Sequence, residues 1–393
     1  MHFIFGQKIM KILIVNTIYA PFKVGGAEVS VQLLAEELVK NGHSVLVVTL
    51  HDKANKEKAT INGVNVHYLP LKNIYWPFSN DGEKRKKWEK IAWHIIDNYN
   101  FKMARLFSEE LDSFKPDIVH TNNICGFSVS IWKEIKKRDI KLIHTSRDYY
   151  LFHPSSTLYS RNKNINVNAL SVKLWSFFKR SASHRVDTYV GISDFIKTFH
   201  INNGFFKRDS AFYIYNAVNR PDYQSDKGNK TRFGFIGRLT RDKGFDDYCE
   251  FASNNPDAVY YAAGRFPGGK EGDELKRLAE KSNIKLMGFI SIDEFFSQVD
   301  VAFLPVKWRE PFGRVVVECV FANKIVLTNA VGGISELAML LPNIYFIDKG
   351  KDVIAGCAVN EVTNEQLTMF SQDKITLEYL SVYLHTIRNG SVN

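Results

Sequence analysis

Apolar and polar positions along this chain follow two patterns in alternation. Short runs rich in Val, Ile and Leu, at residues 11–16 and 44–50, flank a stretch with helical periodicity at residues 27–40. Continuous apolar runs predict buried parallel strands, and the periodic stretch predicts the helix that connects them. Asn41 and Gly42 are typical of a helix end. The chain is therefore predicted to open with a βαβ unit.

The same alternation continues through both halves of the chain. One or two long helices are predicted over residues 88–114, and Ser193 and Asp194 are predicted to cap a later helix. Further strands of the first half are predicted at residues 64–69, 116–120, 141–145, 188–192 and 212–215. Those of the second half are predicted at residues 232–236, 259–263, 285–287, 301–304, 325–328 and 344–346. Two such series predict an α/β protein with two Rossmann-like, doubly wound domains facing a cleft, and with ligands at the strand-to-helix loops.

Two polar stretches lack periodicity. Residues 221–231 are predicted to link a domain of residues 1–220 to a domain of residues 232–371. Residues 155–168 are rich in Ser and Asn and are expected to form a mobile loop.

Composition narrows the range of partners. A net charge of +10 and a pI near 9.2 favour phosphates or an anionic membrane surface, and nucleic acid is not expected because no module that binds it appears. No apolar run reaches the roughly 18 residues of a membrane-spanning helix, and the apolar patch before Gln7 is too short for a signal peptide. The four cysteines lie far apart, without metal-ligand spacing. They predict reduced thiols in a cytoplasmic protein.

The stretch REPFGRVVVECV carries the most informative chemistry. Pro311 and Gly313 make a tight entry into a helix, so Glu310 is expected on a loop and Glu318 inside the helix. Carboxylates at this offset can hold hydroxyls at two ends of one molecule, such as the hexose and the ribose of a nucleotide sugar. The alternative is a helix start with a solvated face.

Two further loops are suited to phosphate. Gly25 and Gly26 open a helix and are expected to leave backbone N–H groups uncovered, although a plain tight turn is the alternative. Arg238 and Lys243 follow the first strand of the second half, where they form a predicted clamp for a diphosphate. A solvated basic loop is the other interpretation.

Other strand ends add weaker candidates. His144 ends a predicted strand, with Arg147 and Asp148 just after it, and is either structural or able to hydrogen-bond a sugar hydroxyl. Gly332 resembles the first Gly-Gly loop and opens either an anion or ribose site or a turn. Gly264 follows another predicted strand and also has a turn-only alternative.

Basic and aromatic residues are mixed at residues 83–93 and 175–185. Such stretches can contact anionic lipid headgroups while their aromatic rings lie at the interface. The alternative is a pair of solvated helices with aromatic residues in the core.

Together these positions resemble the retaining glycosyltransferases of family 4, which have the GT-B architecture. The resemblance extends from residue 11 to about residue 383. REPFGRVVVE matches the family's Glu-x-Phe-Gly…Glu pattern, and GGAE, FIGRL…KG and VGGISE match in order and placement.

The resemblance implies an acceptor-side domain at residues 1–220, a donor domain at residues 232–371 and a last helix at about 376–390 that packs onto the first domain. It implies transfer from a UDP- or GDP-sugar to a polysaccharide or lipid-linked glycan acceptor. Assembly of cell-surface polysaccharide or lipopolysaccharide, in the cytoplasm at the inner face of the membrane, is the expected setting.

The resemblance also implies roles for particular residues. Arg238 and Lys243 would hold the diphosphate, while Glu318 would bind the ribose and Glu310 the hexose. The implied catalytic set is Glu310, His144, Arg238 and Lys243. The implied donor-binding set is Gly25, Gly26, Gly237, Arg238, Lys243, Gly264, Glu310, Phe312, Gly313, Arg314 and Glu318.

One departure from the family pattern leaves the acceptor side open. The family often has His directly followed by Asp, whereas this chain has His144 and then Arg147 and Asp148, so the last two are the acceptor-side candidates. No convincing DxD motif is present, which predicts a reaction without a metal or other cofactor. A sugar-nucleotide epimerase and a non-catalytic nucleotide-sugar-binding scaffold are the alternative functions.

Overall fold

The computed structural model describes residues 9–22, 25–78, 85–224, 230–347 and 356–389. The strands are β1 (Lys11–Val15), β2 (Ser44–His51), β3 (Glu57–Ile61), β4 (Val64–Pro70), β5 (Ile118–Thr121), β6 (Lys141–Ser146), β7 (Tyr159–Ser160), β8 (Lys163–Asn164), β9 (Thr188–Gly191), β10 (Ala211–Tyr213), β11 (Arg232–Ile236), β12 (Val259–Ala263), β13 (Ile284–Gly288), β14 (Val301–Leu304), β15 (Ile325–Thr328) and β16 (Ile344–Phe346). The helices are α1 (Gly26–Lys40), α2 (Lys87–Asn98), α3 (Phe101–Phe114), α4 (Ser130–Lys136), α5 (Leu170–Ser183), α6 (Asp194–Asn202), α7 (Phe245–Asn254), α8 (Gly269–Lys281), α9 (Ile292–Gln298), α10 (Arg314–Phe321), α11 (Gly333–Leu340), α12 (Asn364–Met369) and α13 (Gln372–Asn389).

The chain forms two compact units. The described residues of the first unit fall within Met1–Thr157, Asn166–Ala217 and Gln372–Asn393, and those of the second within Leu158–Ile165 and Val218–Ser371. Within the described ranges, no helix combines the length and the apolar character needed to cross a membrane. All four cysteines are free thiols.

The first unit is built on an eight-stranded sheet in the order β10-β9-β6-β5-β1-β2-β4-β3. All of its strand pairs are parallel except β3 with β4. The direction of winding reverses between β1 and β5, and β1 is buried beyond its first residue because elements cover both faces of the sheet. Helix α13 belongs to this unit, since Tyr379 and Tyr383 lie in its core and the Tyr383 hydroxyl is 2.8 Å from His120 Nδ1.

The second unit has a parallel six-stranded sheet in the order β13-β12-β11-β14-β15-β16. Winding reverses between β11 and β14, and ligands in sheets of this kind bind beyond the carboxyl ends of the strands at such a point. The β7–β8 hairpin also belongs to this unit. Asn164 fastens it, donating from Nδ2 to the carbonyl of Lys307 (3.0 Å) and accepting at Oδ1 from the amide of Arg309 (3.2 Å).

The predicted α/β class and the predicted strands are confirmed, with shifts of one or two residues at several ends. The helical stretch at residues 88–114 is two helices, because Asn100 caps α3 by accepting from the amide of Met103. The expected mobile loop at residues 155–168 contains the β7–β8 hairpin. Strand β3 was missed because this edge strand is mostly exposed and lacks the apolar pattern. Within the predicted linker, residues 225–229 lie outside the described residues.

Candidate active site

Two loops of the second unit meet where β11 and β14 end. The first follows β11 and runs from Gly237 to α7, and the second follows β14 and carries Glu310. The backbones are in close contact, because a Cβ at Gly244 would lie 1.9 Å from the carbonyl oxygen of Pro305. The amides of Lys307 and Trp308 also donate to the carbonyl of Asp242, at 3.0 and 3.3 Å. The winding reversal therefore brings together the two loops on which the sequence placed its main candidates.

Glu310 is held by two donors at one oxygen. Its Oε2 accepts from Lys243 Nζ at 2.5 Å and from Trp308 Nε1 at 2.9 Å. The Lys243 ammonium also lies 5.0 Å from the centroid of the Trp308 ring, within cation–π range. Charge-assisted hydrogen bonds of this kind orient a carboxylate more firmly than neutral ones. Lys243 and Glu310, which the sequence predicted as separate candidates, are thus in direct contact.

Gly332 and Gly333 support the Glu310 loop from behind. The amide of Gly333 donates to the Glu310 carbonyl at 2.7 Å, and a Cβ at Gly332 would lie 2.2 Å from that same oxygen. Gly332 also has a φ of +56°, in the region that favours glycine. Of the two interpretations of this loop, the structure favours the turn, since the glycines are needed for backbone packing.

Arg238 extends from the first loop with half of its side chain exposed. Its Nη2 lies 2.9 Å from Asp242 Oδ2, in an ion pair four residues apart. Because this pair is exposed, it contributes little to stability and leaves the guanidinium able to exchange partners. A diphosphate is an anion that such a guanidinium can bind bidentately.

Glu318 lies inside α10 and pairs with Arg314, whose Nε donates to Glu318 Oε1 at 2.8 Å. Burial raises the pKa of the Glu318 carboxyl, and the charge of Arg314 partly offsets the rise. Gly313 caps the helix with a φ of +100°. The Phe312 side chain is buried, and its ring centroid lies 6.1 Å from that of Phe370. Only the backbone of Phe312 therefore remains a candidate for sugar contact.

Gly264 lies at the end of β12, behind the first loop. Its amide donates to the carbonyl of Gly288 at 2.7 Å, and a Cβ there would lie 1.7 Å from the carbonyl oxygen of Gly237. Gly237 itself has a φ of +134° with nothing within 4 Å of an added Cβ. Gly264 therefore supports the loop that carries Arg238.

In the first unit, the Gly-Gly loop differs from the expectation of uncovered amides. The amide of Gly25, the N-cap residue of α1, donates to Glu28 Oε2 at 2.8 Å. The reason is the glutamate at the third helical position, which returns to the cap. Gly26 is the first residue of α1.

The expectation that His144 faces a ligand does not agree with its position. The side chain is 3% exposed, with Nδ1 3.0 Å from Thr121 Oγ1 and its ring stacked 5.6 Å from that of Phe206. Burial lowers the pKa of His144 well below its usual value, so the ring is neutral. Strand β6 is buried beyond its first residue because both faces of the sheet are covered, so His144 is enclosed together with its neighbours in the strand. Of the two interpretations of His144, this position favours the structural one.

Arg147 and Asp148 follow β6 and differ in their surroundings. Arg147 is buried, and it donates from Nε to Asn122 Oδ1 (3.0 Å) and from Nη1 to Asn216 Oδ1 (2.6 Å). Asp148 Oδ1 accepts from the amide of Tyr150 at 2.8 Å. Burial raises the pKa of Asp148 to about 6, which suits a group that exchanges a proton near neutral pH.

Sequence reasoning missed Trp308 as part of the site. Trp308 precedes Glu310 by only two residues, and the backbone bends at Trp308. That spacing, with an indole N–H as donor, was the available signal.

Solved structures with similar folds define the class of this protein. The chain superimposes on sucrose-phosphate synthase from Thermosynechococcus elongatus with a TM-score of 0.72 and 16% identity, over 97% of this chain and 100% of that one. It superimposes on Anabaena HepE, solved in complex with UDP and glucose, with a TM-score of 0.63 and 17% identity, over 98% and 100% of the two chains. The protein has the fold of the GT-B glycosyltransferases.

Matches to family models then identify the protein family. The model described as Glycosyltransferase Family 4 matches residues 24–220, and the model described as Glycosyl transferases group 1 matches residues 219–356. The chain belongs to glycosyltransferase family 4 and is a glycosyltransferase. The epimerase and scaffold alternatives are set aside on this finding.

Two relatives cover nearly all of the chain. A 42.6 kDa protein in the cps region of Klebsiella pneumoniae is 47% identical over 375 residues, which span 95% of this chain and 100% of that protein. A glycosyltransferase of Methanocaldococcus jannaschii is 25% identical over 410 residues, spanning 95% of this chain and 98% of that protein.

Proposed function

We propose that this enzyme transfers a sugar from a nucleoside diphosphate sugar to a growing glycan, with retention at the anomeric carbon and without a metal ion. The observation that carries the proposal is the contact of Lys243 and Trp308 with one oxygen of Glu310, at the winding reversal of the second unit, where the loop of Lys243 also carries Arg238. A cationic pair beside an oriented carboxylate suits a ligand with a diphosphate at one end and hydroxyls at the other.

The chemistry follows from charge development. As the bond from the anomeric carbon to the diphosphate breaks, negative charge grows on the departing oxygen, and the Arg238 guanidinium and the Lys243 ammonium stabilise it. Glu310, already oriented by two donors, accepts hydrogen bonds from the hexose hydroxyls. Glu318, inside α10, accepts hydrogen bonds from the ribose hydroxyls. The cationic side chains thus stabilise the negative charge on the leaving diphosphate, which a divalent metal ion stabilises in other transferases.

Retention is assigned to front-face attack. In this mechanism, the acceptor hydroxyl forms its bond on the face that the diphosphate leaves, and its proton passes to the leaving diphosphate. Glu310 Oε2 is occupied by two donors, which favours a binding role for this carboxylate over a nucleophilic one. A glycosyl-enzyme trapped on Glu310 or Asp148 would contradict this assignment.

The relative in the cps region supports a role in capsular polysaccharide synthesis. The acceptor is proposed to be a polysaccharide or a lipid-linked glycan. A UDP-sugar is the first donor to test, because the similar Anabaena structure holds UDP and glucose.

Glu310→Gln tests the proposal, with Glu280→Gln as the matched control on the exposed surface of α8. Purified enzymes are assayed for nucleotide release from UDP- and GDP-sugars with and without EDTA, and the anomeric configuration of the product is read by NMR. Loss of transition-state hydrogen bonds should lower kcat about 10²–10³-fold in Glu310→Gln, whereas Glu280→Gln and EDTA should have no effect. Unchanged turnover in Glu310→Gln would refute the role of Glu310. A product of inverted configuration would refute retention.

A further inference from the structure

Helix α5 exposes its apolar face and buries a mostly small or polar one. Its buried side chains are Val172, Ser176, Lys179, Ala182 and Ser183, most of them small or polar. Its large apolar side chains, including Leu174, Phe177 and Phe178, point to solvent. A surface helix ordinarily buries its apolar stripe and exposes its polar one.

Helix α2 shows the same feature and contacts α5. Trp88, Ile91 and Ile95 are spaced three and four residues apart on one stripe, and all three are exposed. The rings of His94 and Trp175 lie 6.1 Å apart and join the two helices. The α2–α5 face is the set Trp88, Ile91, Ile95, Leu174, Phe177 and Phe178, whose side chains are 53% to 67% exposed.

The two helices are anchored beneath this face by polar contacts. Lys179 is 3% exposed, donates to the carbonyl of Tyr150 at 2.9 Å, and lies 3.6 Å from the centroid of the Tyr150 ring. The Tyr150 hydroxyl donates to Asp97 of α2 at 2.8 Å. Because this buried network ties α5 to α2, the apolar side chains are displayed from firmly held helices.

The exposed charged side chains of α2 and α5 are basic, whereas Glu89 of α2 is half-buried and accepts from the amide of Lys86 at 2.7 Å. Residues 149–186 contain no Asp or Glu, and Lys173 and Arg185 are exposed on or next to α5. Lys87 and Lys90 are exposed on α2. In a symmetric dimer the same surface meets itself, so these cations would face their own copies. The charge therefore favours an anionic partner over a second copy.

The aliphatic and aromatic side chains of the α2–α5 face favour anionic lipid over other anionic partners. Leu and Ile gain nothing from a nucleic-acid backbone, whereas in a bilayer interface they enter the acyl region and the basic side chains reach the headgroups. Trp is favoured at that depth because its ring has an apolar body and a polar N–H. We propose that the α2–α5 face docks the first unit onto an anionic lipid bilayer as a peripheral, non-spanning surface.

The test is binding of the full-length enzyme to vesicles of phosphatidylglycerol mixed with phosphatidylcholine, against vesicles of phosphatidylcholine alone. The enzyme should sediment with the first and not the second. The variant Leu174→Ser/Phe177→Ser should bind at least about tenfold more weakly, and Lys173→Gln about fivefold more weakly. The matched control is Met339→Ser, which removes an exposed apolar side chain of the second unit and should bind as the wild type does.

Equal binding to both vesicles, or no binding to either, would overturn the proposal. So would a wild-type dimer in sedimentation velocity that the double variant dissociates, since the face would then be a self-association surface. Nucleotide-sugar affinity is measured without vesicles in each variant. A loss of vesicle binding with unchanged nucleotide affinity separates this proposal from the proposed function.

Discussion

Gly264→Ala should destabilise the second unit and weaken donor binding. Gly264 has a φ of +148°, and a Cβ there would lie 1.7 Å from the carbonyl oxygen of Gly237, whereas real Cβ contacts essentially never fall below 3.0 Å. Since the obstructing atom belongs to the backbone, no side-chain rotation relieves the overlap. The Gly237 carbonyl must move by more than an ångström, and Arg238 is the next residue along the chain.

Two contributions set the magnitude. The left-handed backbone costs alanine about 1–2 kcal/mol, and the strain of the displaced loop adds about 1–3 kcal/mol. We expect the free energy of unfolding of the second unit to fall by about 2–5 kcal/mol. If the displaced Arg238 loses one charge-assisted hydrogen bond to the diphosphate, the donor affinity falls by about 1.5–3 kcal/mol, or at least tenfold.

The matched control is Gly288→Ala. Gly288 is the last residue of β13 and has a φ of +71°, yet nothing lies within 4 Å of an added Cβ, so only the backbone cost remains. Trp308 is the single tryptophan among residues 218–371, and 5-fluorotryptophan labelling makes its ¹⁹F resonance a reporter of that unit during urea titration. Nucleotide-sugar affinity is measured by calorimetry. Equal stability and equal affinity in the two variants would refute the steric argument.

Two further predictions concern Glu310 and pH. Trp308→Phe keeps an aromatic ring but removes the N–H that donates to Glu310. Steady-state kinetics should show kcat/KM falling about tenfold, and circular dichroism should show that folding is retained. Unchanged kinetics would exclude a positioning role for Trp308. Burial holds the pKa of several histidines below the usual value, namely those of His94 (about 4), His120 (about 3) and His200 (about 4). Their unfolded forms take up protons near pH 6.5, so stability should fall as pH drops from about 6.5 to about 4, by on the order of 3 kcal/mol. This figure is a net value, because Asp97 and Asp148, whose pKa values burial raises to about 6, bind protons in the folded state and oppose the fall in part. Urea denaturation at pH 7 and pH 4.5 measures the difference, and equal stability at both would contradict the reasoning.

Local pattern was enough to predict most of the fold. Continuous apolar runs identified the strands of both sheets because a parallel strand is covered on both faces, and its burial is therefore visible in its own residues. The edge strand β3 escaped because its side chains are mostly exposed and leave no such pattern. The loop after β14 was also identifiable, since Pro311 and Gly313 mark a helix entry beside a carboxylate.

The sequence by itself determined which residue types stand at the strand ends, whereas the tertiary structure decided their partners. Lys243 contacts Glu310 across 67 positions because β11 and β14 are neighbours in the sheet though not in the chain. The pairing of β14 with β15 likewise makes Gly333 a backbone support for Glu310. His144 shows the limit of local reasoning. Its strand-end position is local, but its burial beside Thr121 depends on the neighbouring strand, which no nearby residue specifies.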